Sequence, residues 1–378
     1  MIEQPGNYVS KIVLIRIALP YREYFETSFG REYEKHTYIV IVEANGVEGY
    51  AETAAGIYPR YSYESVDIDA YVIDKYIIPS IEKGISTNPN EYIEKVRWIK
   101  GYNMAKASIE MALWDLTSKL MGKPLYKVIG GKRKYANVGV SIGLQKDIDT
   151  LLSKIATYLE EGYQRIKIKI SRGRDIELVE AVRREYPDIP LTVDANGDYG
   201  YKDLEYLKKL DEFDLLYIEQ PFPYWDLYLH SKLQSIIETK ICLDESIYNS
   251  YLAREAIDIG AAKVINIKPG RVGGIKESIE IHNISMDKGI GTWIGGMLET
   301  GIGRGFNVSL ATLPNIIYPS DISASTRYFN RDIVTQPWEI DSKGRMWVRE
   351  EEGIGVEIDW GYLDKIVIWK KEYRIGSN

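Results

Sequence analysis

Five short apolar runs in the middle of this chain each end in a charged residue, and the runs recur at a nearly constant interval. The charged residues lie 25, 25, 25 and 24 positions apart and are Lys169, Asp194, Glu219, Asp244 and Lys268. Each interval has room for one strand, one helix and two loops, which is the repeating unit of a parallel barrel. Because the carboxyl ends of such strands converge at one mouth, the spacing predicts that the five side chains surround one site.

The order of apolar and polar segments predicts an α/β protein with three parts. Residues 1–130 place strands before helices, which is typical of an α+β domain. Residues 131–325 alternate strand and helix and are predicted to form a (β/α) barrel of the TIM type. Residues 326–378 are polar and turn-rich, and we expect this segment to pack back on the first domain and complete it.

Individual elements of the first and last parts follow from local patterns. The predicted strands are Lys11–Leu19, His36–Val42, Val47–Ala54, Arg345–Val348 and Gly355–Ile358. The longest predicted helix is Asn103–Met121. Two aromatic stretches are predicted to be loops, and they are Tyr21–Glu34 and Gly56–Ser65. A loop as long as the first is usually functional or disordered.

Composition narrows the classes of partner. The chain of 378 residues has a net charge of −7 and a pI near 5.4, which argues against a nucleic acid or an anionic membrane as partner. No apolar run approaches the ~18–20 residues that span a bilayer. Lys11 and Arg16 interrupt the apolar start, which therefore indicates a strand and not a signal peptide. The single cysteine, Cys242, excludes an internal disulfide and is typical of a cytoplasmic protein.

The stretch Ile166–Ile170 alternates isoleucine with lysine. A parallel barrel strand is buried on both faces, so Lys167 and Lys169 are tolerated on the inward face only near the mouth and beside carboxylates. The same alternation places the other four charged residues of the series on the inward face. The alternative for this stretch alone is a strand whose lysines face solvent.

Three carboxylates without a histidine or thiolate partner indicate a site of hard oxygen ligands. Such a site favours Mg²⁺, or Mn²⁺ and similar divalent ions, over Zn²⁺. The histidines His36, His230 and His282 form no His-x-His pair, which argues against a metal-dependent hydrolase on the same barrel. That hydrolase and a non-catalytic metal-binding protein remain the alternatives from other functional classes.

The two outer lysines are candidates for proton transfer. If Ser141 marks the first barrel strand, Lys169 lies on the second strand and Lys268 on the sixth, on opposite sides of an eight-stranded barrel. A carbon next to a carboxylate is a very weak acid, and a divalent ion on that carboxylate stabilises the enediolate left when its proton is removed. A lysine base with a metal-stabilised enediolate is the established chemistry of enolase-type sites.

Seven motifs resemble the muconate-lactonizing subgroup of the enolase superfamily, and most closely its o-succinylbenzoate synthases and N-acylamino acid (N-succinylamino acid) racemases. The resemblance spans essentially the whole chain, and the motifs are 105–116 (AKASIEMALWDL), 167–169 (KIK), 193–196 (VDAN), 218–221 (IEQP), 243–246 (LDES), 266–274 (NIKPGRVGG) and 295–304 (GGMLETGIGR). It implies a modified TIM barrel under an N-terminal capping domain.

The resemblance also implies roles for particular residues. Asp194, Glu219 and Asp244 would ligate Mg²⁺, and Lys169 and Lys268 would be the acid/base pair. Residues that would contact the substrate or support its carboxylate and the metal are Ser141, Lys167, Asn196, Asn266, Gly296 and Met297, with Phe25 and Tyr58 on the capping loops. Arg271 resembles an arginine of the racemase-competent branch, where it would tune the neighbouring lysine.

Two activities share the enediolate. An o-succinylbenzoate synthase removes an α-proton and then hydroxide, and Lys169 alone suffices as base. A racemase needs a base on each face of the substrate, so both lysines must transfer protons. Arg271 favours racemase competence, with one bifunctional site as an option. Muconate cycloisomerase and dipeptide epimerase are the runners-up, the epimerase disfavoured by the 295–300 run (GGMLET). A small carboxylate substrate and a homo-oligomer are expected.

Overall fold

The N-terminal part of the chain is an antiparallel sheet of three consecutive strands and one strand from the C-terminus. In this computed structural model, residues 7–27 and 30–376 are described, and for residues 25–27 and 30 only the backbone is. The strands are β1 (Lys11–Thr27), β2 (Gly30–Ala44) and β3 (Val47–Glu52). The last strand of the chain pairs with β1, with Lys11 opposite both Arg374 and Glu43, so the C-terminal segment completes this sheet.

Helices cover one face of that sheet. They are α1 (Val66–Val72), α2 (Ile78–Ile81), α3 (Pro89–Val96), α4 (Asn103–Leu120) and α5 (Leu125–Val128), and a π-helical turn (Ile73–Ile77) joins the first two. Helix α4 is buried on most of its surface and packs on β3 and β2. Its close approach requires Gly49, because a Cβ there would lie 2.2 Å from the Ala112 carbonyl oxygen.

Parallel strands alternating with helices make up the second part. The elements are β4 (Tyr135–Asn137), β5 (Val140–Ile142), α6 (Ile148–Glu160), β6 (Ile166–Lys169), α7 (Ile176–Glu185), β7 (Leu191–Asp194), α8 (Leu204–Leu207), β8 (Ile218–Glu219), α9 (Leu227–Gln234), β9 (Ile241–Leu243), α10 (Ser250–Asp258), β10 (Val264–Ile267), α11 (Pro269–Val272), α12 (Ile275–Asp287), β11 (Gly291–Ile294) and α13 (Gly301–Leu310). Seven of these strands form one sheet in chain order, from β5 to β11. Short 3₁₀ turns lie at Tyr201–Asp203, Lys208–Phe213 and Ser325–Arg327.

An extended segment closes this sheet into a barrel. Ile316 bridges to Thr292 of β11, and Ser320 bridges to Val138 beside β5, both in parallel fashion. The Gly139 amide donates to the Ser320 carbonyl oxygen at 2.9 Å. Seven strands and this segment give eight positions around the barrel, and the predicted α/β fold class is confirmed.

The C-terminal part differs in detail from the prediction. Strand β12 (Arg345–Trp347) pairs with β4 in a separate two-stranded sheet and not with the first domain, and the predicted strand at Gly355–Ile358 is reduced to one bridge from Ile358. Helix α14 (Trp360–Ile366) and strand β13 (Val367–Arg374) complete the chain. The exact domain limits at residues 130 and 325 stay a prediction.

The stretch Tyr21–Glu34, predicted to be a loop, is mostly strand. Strand β1 continues to Thr27, and β2 starts at Gly30. Backbone pairing with an irregularity between Pro20 and Phe25 holds this hairpin, which lacks the apolar alternation that marks a buried strand. The prediction was wrong here because pairing to a neighbouring strand replaced burial. Within the described residues, no helix is both long enough and apolar enough to cross a membrane.

Candidate active site

The charged series lies on consecutive strands of the barrel at their carboxyl ends. Lys169 ends β6, Asp194 ends β7 and Glu219 ends β8, while Asp244 and Lys268 directly follow β9 and β10. The inward face beneath them holds a separate apolar cluster of Tyr217, Cys242, Val264 and Trp293. Tyr217, Cys242 and Val264 each precede a charged residue of the series by an even number of positions, and Trp293 lies on β11. Because side chains alternate between the two faces of a strand, the charged side chains also point inward, into the mouth.

The Lys169 amine is hydrogen-bonded to two side-chain oxygens, one from the last residue of the next strand, β7, and one from the loop just after it. Its Nζ donates to Asp194 Oδ2 at 2.6 Å and also to Asn196 Oδ1. Asn196 has a left-handed backbone, with φ of 45°, and its Nδ2 donates to Glu245 Oε1 at 2.7 Å. Lys169 therefore lies at one side of the site, and these two hydrogen bonds tie its amine to side chains of the barrel.

Lys268 lies four strand positions away, at the other side. Its Nζ donates to Asp244 Oδ2 at 2.8 Å and lies 3.1 Å from the hydroxyl of Tyr61, a residue of the first domain. Arg271 also donates to Asp244, and it donates to the Ile247 carbonyl oxygen at 2.8 Å. One carboxylate thus holds both the lysine and the arginine in place.

Lys167 lies deeper and is surrounded by acids. Its Nζ is 2.9 Å from Glu219 Oε2, 2.8 Å from Asp321 Oδ2 and 3.4 Å from Asp194 Oδ2. Burial opposes its charge, but Asp321, Glu219 and Asp194 outweigh burial and raise the pKa of Lys167 well above its usual range. Lys167 is therefore a permanent cation at the floor of the site.

The three carboxylates are buried and repel one another. Burial and the charge of Asp194 raise the pKa of Glu219 to about 7, although Lys167 opposes the rise. Burial also disfavours the charge on Asp244 and Asp194, but the neighbouring cations outweigh it and lower both pKa values. Asn266 supports this cluster, since its Nδ2 donates to Glu219 Oε1 at 2.9 Å.

The donor set fits a hard divalent cation. Its three carboxylates come from adjacent strand ends, and the buried Glu245 Oε2 and Asn266 Oδ1 have no hydrogen-bond partner among the described atoms. In the described part of the chain, no three acidic, histidine or cysteine side chains already converge as an ion-binding group, and the carboxylates are instead paired with lysine and arginine. The all-oxygen chemistry and the mutual repulsion favour Mg²⁺ or Mn²⁺.

A cavity of about 190 Å³ opens above these residues, between the barrel and the first domain. The predicted residues that line it are Ser141, Lys167, Lys169, Asp194, Asn196, Lys268, Gly296, Met297 and Tyr58. Glu219, Asp244 and Arg271 lie beneath its surface and contact lining residues, and Asn266 contacts Glu219. The side chain of Phe25 lies outside what the structure describes.

Three residues of the site were missed by the sequence analysis. Asp321 binds both Lys167 and the buried Arg165, whose Nη2 lies 2.6 Å from Asp321 Oδ1. Tyr61 lies inside a predicted loop but was not singled out, and Glu245 follows Asp244 directly. Glu245 lies inside the motif 243–246 (LDES) and Tyr61 inside the predicted loop Gly56–Ser65, whereas no motif or loop of the sequence analysis contained Asp321.

Two domain families match this chain. Residues 11–130 match "Mandelate racemase / muconate lactonizing enzyme, N-terminal domain", and residues 150–362 match "Enolase C-terminal domain-like". An o-succinylbenzoate synthase of Geobacillus kaustophilus is 41% identical over 367 residues, which are 97% of this chain and 98% of that protein. An N-succinylamino acid racemase of Thermus thermophilus is 41% identical over 355 residues, 94% and 96% of the two chains.

A solved structure supports the same assignment. A member of the enolase superfamily from Listeria innocua superposes with a TM-score of 0.94 at 39% identity, covering 98% of this chain and all of its own. These matches extend across both the first domain and the barrel, so they do not depend on the site motifs alone. The chain therefore belongs to the enolase superfamily, with the N-terminal domain of the mandelate racemase and muconate lactonizing group.

Proposed function

We propose that this protein abstracts the proton α to a carboxylate of a small molecule and acts as an o-succinylbenzoate synthase, an N-succinylamino acid racemase, or both at one site. The observation that carries the proposal is the pair of amines, Lys169 and Lys268, which reach one cavity from opposite strands with three carboxylates on the strands between them. Relatives with each of these two names are about equally similar to the chain.

Racemisation uses the two lysines in turn. Lys169, as the free amine, accepts the α-proton from one face of the substrate and leaves an enediolate. Lys268, as the ammonium, then delivers a proton to the same carbon from the opposite face, and the configuration inverts. The reverse reaction exchanges the two roles, so each lysine is the base for one enantiomer.

Dehydration needs only one of these bases. Lys169 accepts the α-proton of a cyclohexadienyl carboxylate, and the same amine then returns that proton to the departing hydroxide, so that water leaves and the ring becomes aromatic. Lys268 remains an ammonium throughout and contributes positive charge near the enediolate. The two reactions therefore differ in what they ask of Lys268.

We propose Mg²⁺ as the cofactor, held by Asp194, Glu219 and Asp244. The ion would supply positive charge that stabilises the developing negative charge of the substrate carboxylate. Asn266 orients Glu219 through its amide, and Lys167 supplies a fixed positive charge beside that carboxylate. A cytoplasmic homo-oligomer that serves menaquinone biosynthesis is the setting that we propose for the synthase activity.

Isotope exchange tests this function. The purified protein, with Mg²⁺ or Mn²⁺, is incubated in D₂O with N-succinyl-L-phenylalanine, and the α-proton is followed by NMR and the configuration by polarimetry. Loss of the cyclohexadienyl substrate is followed separately by absorbance. We expect exchange, dehydration or both in the wild type and neither in a Lys169→Ala/Lys268→Ala double variant. Activity that survives in the double variant would contradict the proposed mechanism.

A further inference from the structure

Tyr61 connects the first domain to one of the two lysines. Its hydroxyl oxygen lies 3.1 Å from Lys268 Nζ, 2.9 Å from Asp244 Oδ1 and 2.9 Å from Arg271 Nη1. A phenol has one proton to donate and two lone pairs that accept. Here it donates to the carboxylate of Asp244 and accepts from the ammonium and the guanidinium, so all of its hydrogen-bonding capacity is used.

The ring of Tyr61 adds a second contact to the same lysine. Its centroid lies 4.4 Å from Lys268 Nζ, within the distance at which an aromatic face attracts a cation. The ammonium therefore touches both the hydroxyl and the face of one side chain. These two contacts, with Asp244, fix the direction in which Lys268 presents its remaining proton to the cavity.

The opposite lysine, Lys169, has no such partner among the described residues of the first domain. Within the described residues, the Lys169 amine donates to Asp194 and Asn196, and both belong to the barrel strand and loop next to it. The two amines therefore have unequal supports, one entirely from the barrel and one partly from the first domain. Removing the Tyr61 hydroxyl changes the surroundings of Lys268 and leaves the hydrogen bonds of Lys169 intact.

The loop that carries Tyr61 is anchored at both ends. At its start, Ala54 packs so closely on Gly270 that a Cβ at position 270 would lie 2.3 Å from the Ala54 Cβ. At its end, the carboxylate of Glu64 accepts the backbone amide of Met104 at 2.9 Å and that of Ala105 at 3.2 Å. These contacts hold the phenol at the barrel mouth before any substrate arrives, which is the preorganisation that a positioning group requires.

We infer that Tyr61 is a positioning residue for Lys268 and thereby sets how much of the turnover at this site is racemisation and how much is dehydration. The inference rests on the proposed function, in which racemisation needs proton transfer by Lys268 and dehydration needs only its charge. A lysine that is free to rotate still supplies charge but delivers its proton poorly. Loss of the Tyr61 hydroxyl therefore slows proton transfer by Lys268, which racemisation needs and dehydration does not.

The test compares two variants that remove the same atom from the same loop. Tyr61→Phe removes the hydroxyl at the lysine. Tyr63→Phe removes the hydroxyl of a ring that lies outside the cavity lining and meets the Tyr102 ring edge to face, with 5.9 Å between the ring centroids. Deuterium exchange of N-succinyl-D-phenylalanine and N-succinyl-L-phenylalanine is measured for each protein with Mg²⁺, together with the rate of dehydration. The Lys268→Ala variant identifies the enantiomer whose proton Lys268 removes.

For Tyr61→Phe we expect exchange of that enantiomer to fall by roughly 10- to 100-fold in kcat, as for loss of one hydrogen bond to a charged group. Exchange of the other enantiomer, dehydration and all rates of Tyr63→Phe should stay within about threefold of wild type. Retained dehydration also shows that the variant is folded.

An equal fall for both enantiomers and for dehydration would overturn the inference, and so would no fall at all. A wild type that neither exchanges nor dehydrates its substrates would overturn the proposed function itself, and the role of Tyr61 with it. That result is distinguished from a failure of the Tyr61 inference alone by the wild-type rates, which are measured first.

Discussion

Replacing Asp321 by asparagine removes a carboxylate that pairs with two buried cations at the floor of the site, Arg165 and Lys167, of which Lys167 keeps Glu219 and Asp194 as partners. Asp321 lies 2.6 Å from Arg165 and 2.8 Å from Lys167, and both cationic side chains are at most 5% exposed. Removing one partner of a buried ion pair costs about 3–5 kcal/mol, because the other charge is left buried and uncompensated. The asparagine oxygen can still accept from Arg165, so we expect a loss at the lower end, about 3 kcal/mol.

The pKa of Asp321 shows how strongly its surroundings favour the charged carboxylate over the neutral acid. Burial opposes its charge, but Arg165 and Lys167 outweigh burial and lower the pKa of Asp321 from 3.8 to about 2. That difference corresponds to about 2.5 kcal/mol of folding free energy. Because the folded-state pKa is the lower one, this stability is complete above pH ~4 and is lost as the pH falls towards 2.

Urea unfolding at pH 7 measures the loss. The matched control is Asp359→Asn, whose carboxylate pairs with the half-exposed Arg331, so that its loss should be below about 1 kcal/mol. Asparagine also preserves the helix cap that Asp359 provides to the Tyr362 amide. If Asp321→Asn lowers the free energy of unfolding no more than the control does, the argument from buried charge is refuted.

Three further predictions concern pH, close packing and the metal. Burial lowers the pKa of His230 from 6.5 to about 4. The neutral imidazole therefore contributes about 3 kcal/mol of stability, which is complete above pH ~6.5 and is lost as the pH falls towards 4. The urea midpoint of the wild type should fall over this pH range, and that of His230→Gln should fall less. Gly270→Ala should lower kcat/KM by about tenfold or more in both reactions, because the added Cβ displaces Ala54. Gly361→Ala is the control and should not lower kcat/KM, since a Cβ at position 361 would have no neighbouring atom closer than 3.6 Å. Equal kcat/KM values for the two variants would contradict the packing argument. Removing divalent ions with a chelator should abolish activity. Mg²⁺ at about 100 times its Kd should restore activity and add about 2.7 kcal/mol of stability in thermal unfolding. Activity in the chelated protein would exclude a role for the metal.

Much of the barrel could be predicted from the sequence because its constraint is periodic. The side chains of a buried parallel strand alternate between two faces, and the strand ends at the mouth of the barrel. Lys169, Asp194 and Glu219 therefore indicate where their strands end and that these ends lie together. Counting from Ser141 as the marker of the first barrel strand placed Lys268 on the sixth, and the pairing of the sheet has Ser141 on the first strand and Lys268 at the end of the sixth.

The contacts that the sequence did not predict join distant segments through irregular backbone. Asp321 lies on the segment that closes the barrel without forming a regular strand, so no alternation marks it. Tyr61 meets Lys268 across 207 positions of sequence, from a loop whose residues have no periodic pattern. Strand β13 was missed because Val367–Arg374 mixes charged and aromatic residues, and its pairing with β1 is decided by the first strand of the chain.

The stereochemistry of exchange in single lysine variants tests the central claim most directly. Lys169→Ala and Lys268→Ala are each incubated in D₂O with both enantiomers of an N-succinylamino acid, and deuterium at the α-carbon is measured by NMR. Two opposed bases predict a crossed result: each variant loses exchange of one enantiomer, the two variants lose opposite ones, and neither racemises. If both variants lose the same enantiomer, or if either one still racemises at the wild-type rate, the two lysines do not act from opposite faces.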